Sequence, residues 1–242
     1  MYNISYNIAS MFYMFLKYKS EDLEVKMMSK RSYNQYCAVA RAMDIVGERW
    51  TLLIVRELLP GPKRFKDLLE GLPGIGTNLL AARLKDLDGY GVVRRTTLPP
   101  PAASRVYELT ELGRSLEPVI MGLARWGLEF LGASREEEDR QPAWAMVALR
   151  SMLKPEATGE VRESYEFRLD DEVFHVWIEN GEIEVRQGTT ADPYLVVRSD
   201  TQTLLAVAAG RVEPGEAVAS GAIGIEGDRE ARERCVKMLG AR

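Results

Sequence analysis

The stretch GIGTNLLAARLKDLDGYGVVRR, residues 74–95, contains a predicted helix with two unlike faces and the start of a hairpin. On a helical wheel, Leu84 and Leu87 fall within about 40° of Leu80, so the leucines form one face. The opposite face carries only small or polar side chains, which are Asn78, Ala81 at its edge, Ala82 and Lys85. A helix divided in this way buries its leucines and keeps a low, polar face outside.

The face of small and polar side chains is suited to binding nucleic acid. Small side chains let a helix approach the floor of the major groove, where Asn78 can bind an adenine edge and Lys85 a phosphate. A predicted hairpin follows at residues 92–97 and 105–109, with the proline-rich tip TLPPPAAS. Its basic residues suit the DNA backbone or the minor groove, and they are Arg94, Arg95 and Arg105. The alternative is a surface helix beside an incidentally basic hairpin.

Further helices are predicted on both sides of this segment. Before it, apolar spacing indicates helices at 37–46, 50–59 and 65–72, and the central helix covers 79–87. After the hairpin, Thr110 is a predicted N-cap for one long helix over 111–131. That helix has apolar residues in a heptad pattern that can pair two chains, namely Leu112, Leu116, Val119, Leu123, Trp126 and Phe130. The alternative is that this row packs on its own domain.

Composition excludes several classes of protein. The chain has 242 residues, 46% of them hydrophobic, and no apolar run reaches the roughly 20 residues that span a bilayer. We therefore expect a cytoplasmic protein. Two distant cysteines and a single histidine predict neither a disulfide framework nor a metal site. No nucleophile is paired with a base and no phosphate loop is present, so we predict no enzyme and no cofactor.

Charge divides the chain into two parts. Residues 29–134 carry a net charge of +4, whereas residues 135–242 carry −8, so only the first part can meet a polyanion. The predicted organisation is an atypical extension at 1–28, a DNA-binding and dimerisation domain at 29–134, an acidic linker at 135–142 and a ligand-binding domain at 143–242. Eighteen of the first 28 residues are Phe, Tyr, Met, Ile, Asn or Lys. These six types share A/T-rich codons, which suggests that the segment is translated upstream DNA. The natural start is therefore expected at Met27 or Met28, and the alternative is a flexible tail.

The second domain is predicted to be α+β. A helix is predicted from residue 143, then an antiparallel meander at 164–169, 173–179 and 182–187, in which Asn180-Gly181 is a hairpin turn. The remaining elements are a strand at 194–198, helices at 201–209 and 214–220, a strand at 222–226 and a last helix at 229–239.

The first domain resembles the HxlR family of bacterial winged helix-turn-helix transcription regulators. The resemblance runs from CAVARAMDIVGERW through RFKDLL and NLLAARL to SRVYELTELG, over about residues 36–130. It implies a homodimer formed by the terminal helices, a recognition helix at 76–86 and a wing at 96–104. Many relatives have Ser-Pro where this chain has Gly76 and Thr77, so the helix cap is either Gly76 or the Thr77 hydroxyl, and Thr77 joins the expected DNA contacts.

Two residues of this domain have two interpretations each. Arg83 lies beside the leucine face, so it either contacts a guanine or makes a structural salt bridge. Cys37 stands where members of the family that sense electrophiles or oxidants carry a reactive cysteine. An exposed thiol with a pKa lowered by nearby Arg41 would suit that role, whereas a small buried hydrophobe is the alternative.

The second domain is similar to the C-terminal half of sterol carrier protein type 2 domains. The similarity lies in AAGRVEPGEA and GAIGIEGD, within residues 192–239. It implies a curved sheet and helices around an apolar tunnel, here lined by Phe174, Val176, Trp177, Ile178, Leu204, Leu205 and Val207. A filled core without a ligand is the alternative.

These observations predict a dimeric, sequence-specific transcription regulator, a repressor, whose partner is double-stranded DNA and whose C-terminal domain binds a hydrophobic small-molecule effector. The alternative is a lipid-binding or carrier protein that uses the winged helix as an interaction module.

Overall fold

A computed structural model describes residues 32–101, 103–130, 142–154 and 157–239. The chain divides into two compact units, Met1–Thr51 and Leu52–Arg242, and each is described by itself. The atypical extension at 1–28, with its expected start at Met27 or Met28, and the acidic linker up to residue 141 lie outside the described residues.

The first unit is built on helix α1 (Ala38–Val46). Gly47 ends it by donating its backbone N–H to the Met43 carbonyl at 2.9 Å. The segment before the helix is tied to Asp44, which accepts hydrogen bonds from the Tyr33 backbone N–H at 2.9 Å and the Ser32 hydroxyl at 2.7 Å. These bonds lower the pKa of the Asp44 carboxyl, because they favour its charged form.

The second unit begins with a winged helix-turn-helix arrangement. Its elements are α2 (Thr51–Leu58), α3 (Phe65–Glu70), α4 (Thr77–Gly89), β1 (Val93–Thr97) and β2 (Arg105–Leu109). The predicted hairpin is present, and its strands pair Val93 with Leu109 and Thr97 with Arg105. Lys63 joins this sheet through two backbone hydrogen bonds with Tyr107, of 2.9 and 2.8 Å.

The prediction of a single helix over 111–131 is wrong, because the structure has two helices there. They are α5 (Glu111–Arg114) and α6 (Glu117–Leu128). Pro118 has no backbone N–H, so it cannot continue α5 but fits the first turn of a new helix. Thr110 is confirmed as the N-cap of α5, since its hydroxyl oxygen accepts a hydrogen bond from the Gly113 backbone N–H at 3.1 Å.

The C-terminal half is α+β, as predicted. Its elements are α7 (Pro142–Met152), β3 (Arg162–Leu169), β4 (Glu172–Glu179), β5 (Glu182–Gln187), β6 (Leu195–Ser199), α8 (Thr201–Ala208), α9 (Pro214–Ala219), β7 (Gly224–Gly227) and α10 (Arg229–Met238). The five strands form one sheet in the order β5-β4-β3-β6-β7, in which only the β3–β6 pairing is parallel. Asn180 and Gly181 both have positive φ, of 50° and 85°, which is the conformation that a tight hairpin turn requires.

Within the described residues, no helix combines the length and the apolar character that crossing a bilayer requires.

Candidate functional site

The first turn of α4 determines which residues can reach a partner. Gly76 is the N-cap, in extended conformation, and no side chain caps the helix. The choice left open by the sequence is therefore settled in favour of Gly76. Thr77 is the first helical residue and is exposed, so its hydroxyl faces solvent.

The two faces of α4 are divided as the wheel predicts. Leu80, Leu84 and Leu87 are at most 1% exposed. The residues of the predicted outer face are all exposed, and they are Asn78, Ala81, Ala82 and Lys85. The leucines thus hold the helix in the core while a low polar surface stays accessible.

Arg83 lies between these faces. Its side chain is only 17% exposed, and its Nη1 atom is 3.8 Å from Oδ2 of Asp86, one turn along the helix. The structure therefore favours the intrahelical ion pair over a base contact.

The wing presents its three arginines to solvent, but their surroundings differ. Arg94 Nε donates to Glu108 Oε1 across the hairpin at 2.7 Å, and the guanidinium of Arg95 lies 5.1 Å from the centre of the Tyr107 ring. Arg105 forms no ion pair with any residue in the described ranges. A phosphate must therefore compete with Glu108 for Arg94, whereas it meets no such competition at Arg105.

An apolar row runs along one side of α6. The exposed fractions in this row are 54% for Val119, 47% for Leu123, 63% for Trp126 and 70% for Phe130. The rings of the last two lie 4.7 Å apart, centre to centre. The exposed row is shorter than the predicted seam, because Leu112 and Leu116 precede α6 and are half-buried. We call the four exposed residues Val119, Leu123, Trp126 and Phe130 the α6 row.

A buried carboxylate joins the winged helix to α7. Glu57 is 1% exposed, and it accepts hydrogen bonds from Trp144 Nε1 at 2.7 Å, Lys63 Nζ at 2.6 Å and Arg56 Nη2 at 2.9 Å. The Arg56 guanidinium also stacks on the Trp144 ring at 4.5 Å. This cluster was not predicted from the sequence. An acidic residue on the apolar face of α2, beside Ile54 and Leu58, is the signal that could have found it.

The two cysteines have opposite environments. Cys37 is exposed at the N-cap of α1, and the backbone N–H groups of Ala40 and Val39 lower the pKa of its thiol. Arg41, which was expected to lower this pKa, instead has its Nη1 atom 3.6 Å from Oδ2 of Asp44. Cys235 is fully buried, and burial raises the pKa of its thiol to about 12.

This contrast predicts selective alkylation. At pH 7.5, iodoacetamide is expected to label Cys37 faster in the native protein than in the urea-unfolded chain, because a lowered pKa increases its thiolate fraction. Native Cys37→Ser protein should remain unlabelled, since Cys235 is buried and protonated. Peptide mass spectrometry over time measures both rates, and equal rates for native and unfolded Cys37 would contradict the prediction.

The residues predicted to line a ligand tunnel do not all lie together. Five are at most 4% exposed and belong to one continuous core cluster, and these are Phe174, Val176, Ile178, Leu204 and Val207. Leu205 is half-buried. Trp177 was wrongly included, because strand alternation turns it to the other face of β4, where it is 43% exposed.

Among the described residues, no group of three or more His, Cys, Asp or Glu side chains is placed to hold a metal ion.

In comparisons with known proteins, two family models match different parts of this chain. The family model of the HxlR-like helix-turn-helix matches residues 45–135, and that of the alkyl sulfatase C-terminal domain matches residues 147–241. The second model is not that of sterol carrier proteins, so that resemblance remains a prediction.

Two curated relatives come from Bacillus subtilis. The uncharacterized HTH-type transcriptional regulator YvaP is 36% identical over 94 residues, which are 39% of this chain and 87% of that protein. The HTH-type transcriptional regulator YodB is 39% identical over 89 residues, or 37% and 80% of the two chains. The solved structure of reduced YodB is 35% identical, covers 42% of this chain and all of its own, and has a TM-score of 0.36.

Proposed function

Because the chain belongs to the HxlR-like helix-turn-helix family of DNA-binding transcription regulators, we propose that it is a homodimeric repressor whose C-terminal domain takes up an apolar small molecule. The observation that carries the proposal is the exposed polar face of α4 beside a basic wing. This surface lies in a part of the chain with a net charge of +4.

In the proposed complex, α4 enters the major groove. Ala81 and Ala82 let the helix approach the base edges, and Asn78 pairs with an adenine. Thr77 and Lys85 bind phosphates, which fix the register of the helix on the duplex. The exposed wing arginines bind the neighbouring backbone or minor groove, and they are Arg94, Arg95 and Arg105.

The α6 row supports pairing of two such units. Four large apolar side chains exposed along α6 and just after its end are costly in water and form a seam for a second copy of the chain. A two-fold dimer would place its recognition helices in half-sites one helical turn apart, about 34–36 Å.

The acidic C-terminal half suits a regulatory part that stays away from DNA. Its net charge of −8 is repelled by phosphates. A ligand that binds one arrangement of the dimer better than another would change the separation of the recognition helices and so the affinity for the operator.

A gel shift with DNA from the protein's own promoter tests the proposal. We expect retardation at concentrations that leave random DNA of equal length free. Equal retardation of both DNAs, or of neither, would contradict it.

Asn78 and Lys85 are predicted to contribute in different ways. Asn78→Ala should lower affinity for the operator by about 5- to 150-fold, the equivalent of about 1–3 kcal/mol for one base pairing, and leave binding to random DNA unchanged. Lys85→Ala should weaken binding to both DNAs and reduce the slope of log K against log salt by about 1. Fluorescence anisotropy at several salt concentrations measures both effects.

Gln202→Ala is a matched control for Asn78→Ala, because it removes an exposed side-chain amide from the acidic half. Its affinity should equal that of the wild type. An Asn78→Ala variant that loses affinity equally for operator and random DNA would exclude base reading by this residue.

A ligand-loaded C-terminal domain can be tested independently of DNA. Mass spectrometry of material extracted from the denatured protein should reveal a co-purified apolar compound in stoichiometric amount. Its absence would favour the filled core that the burial of Phe174 and its neighbours describes.

A second candidate function, sensing of oxidants or electrophiles, is favoured by the exposed Cys37 thiol with its lowered pKa. Oxidant would then release the protein from DNA, and Cys37→Ser would prevent that release. Unchanged oxidant-dependent release from Cys37→Ser would exclude this function.

A further inference from the structure

We propose that the protein binds a small organic carboxylate with an apolar body, in a cavity between the winged helix and the C-terminal α+β part. The cavity has a volume of about 230 Å³ and lies where α5 and α6 face α7 and β5. Its volume is below the roughly 300–1,000 Å³ of sites for drug-sized ligands, so it fits a molecule of the size of benzoate. That such a ligand controls DNA binding rests on the proposed function.

Five apolar residues line the cavity, and two of them, Leu59 and Pro60, follow α2. The other three are more deeply buried. Met121 of α6, Val147 of α7 and Val185 of β5 line it and are each at most 8% exposed. They offer a surface for the ring or short alkyl chain of a ligand, and its burial is favourable because apolar area leaves water.

The polar part of the cavity favours an anion. Three arginines and two glutamates line it, which gives a net charge of +1. Arg186 Nη2 lies 2.8 Å from Glu184 Oε1, whereas Arg114 is exposed and has no ion pair within the described ranges. Arg114 is therefore free to bind a carboxylate, and a guanidinium can do so through two parallel hydrogen bonds.

An ion pair at the same cavity offers the ligand a second arginine. Arg150 Nη1 lies 2.6 Å from Glu117 Oε1 and so links α7 to α6. That oxygen is buried, yet it accepts no well-aligned hydrogen bond from any described residue. A ligand carboxylate can take the place of Glu117 beside Arg150, and this exchange loosens α7 from the helix that carries the α6 row.

The test is isothermal titration of the full-length protein with sodium benzoate and sodium hexanoate at constant ionic strength. Methyl benzoate is the uncharged probe. We expect both carboxylates to bind and methyl benzoate to bind at least tenfold more weakly. Arg114→Ala should lower the affinity for benzoate at least tenfold, as expected for loss of a charge-assisted hydrogen-bonding partner.

A second cavity variant and a control variant outside the cavity complete the test. Arg150→Gln should also weaken benzoate binding at least tenfold, and its melting temperature reports whether it folds. Arg229→Ala removes an arginine whose side chain is 91% exposed and that does not line the cavity, so its benzoate affinity should equal that of the wild type.

The titrations test the carboxylate site and the gel shifts test DNA binding, so each proposal can be disproved without the other. If operator binding is intact but neither carboxylate binds at millimolar concentration, the carboxylate site is wrong and the DNA-binding function stands. Equal binding of methyl benzoate and benzoate, or unchanged benzoate affinity in Arg114→Ala, would also overturn it. Benzoate binding without any operator binding would retain the site and contradict the proposed repressor.

Discussion

Leu123→Glu is expected to dissociate the proposed dimer into monomers and to weaken operator binding by about 10²- to 10⁴-fold. The substitution places a charge in the middle of the α6 row, where the proposed partner would bury it without a counter-ion. A monomer loses the linkage between two recognition helices, and this linkage supplies the gain in affinity through a high effective concentration of the second helix. Analytical ultracentrifugation and fluorescence anisotropy measure the two effects.

Arg125→Glu is the matched control for this prediction. Arg125 is two residues further along α6, is exposed and lies outside the apolar row, so this variant should remain a dimer. Its DNA affinity is not the control readout, because the substitution also changes the charge of the basic half. A Leu123→Glu protein that sediments like the wild type would show that the α6 row does not form the dimer.

Glu57→Ala is expected to lower the free energy of unfolding by about 2–4 kcal/mol. Breaking a fully buried ion pair typically costs about 3–5 kcal/mol, because the remaining charge stays buried without its partner. Here the Arg56 and Lys63 side chains remain 18% and 22% exposed, so water offsets part of the cost. The variant also leaves the Trp144 indole N–H without its acceptor. Urea unfolding followed by circular dichroism measures the change.

Two companion variants identify the cause. Glu70→Ala removes an exposed carboxylate that pairs with Lys66 along α3, and it should change stability by no more than about 0.5 kcal/mol. Gly71→Ala would bring a methyl group to 2.5 Å from Glu57 Oε2 and so displace the carboxylate. Its cost should largely disappear in the Glu57→Ala background, since the clash is then absent. Additive costs in the double variant would mean that Gly71 acts independently of Glu57.

The local elements were predictable because each depends on neighbouring residues. The spacing of Leu80, Leu84 and Leu87 predicts which face of α4 is buried, and the turn chemistry of Asn180-Gly181 predicts the β4–β5 hairpin. The break between α5 and α6 was also readable, since Pro118 has no backbone N–H to donate. The heptad spacing concealed it, because apolar residues continue in register across the break.

The contacts between distant segments were not predictable in the same way. Glu57 and Trp144 are 87 residues apart, and no periodicity indicates that a helix after the acidic linker contacts α2. The pairing of Arg94 with Glu108 depends on the register of the hairpin, which requires the length of the loop as well as the strand pattern. Trp177 was misplaced because its apolar character was given more weight than strand parity.

In the proposed complex, two α4 helices bind successive major grooves of one operator. Hydroxyl-radical footprinting of the DNA retarded in the gel shift measures this arrangement. We expect two protected segments whose centres are about 10–10.5 base pairs apart, or a multiple of that spacing, with both lost at the same protein concentration for Asn78→Ala. A single protected segment, or two segments that Asn78→Ala leaves unchanged, would show that two α4 helices do not bind the operator in this way.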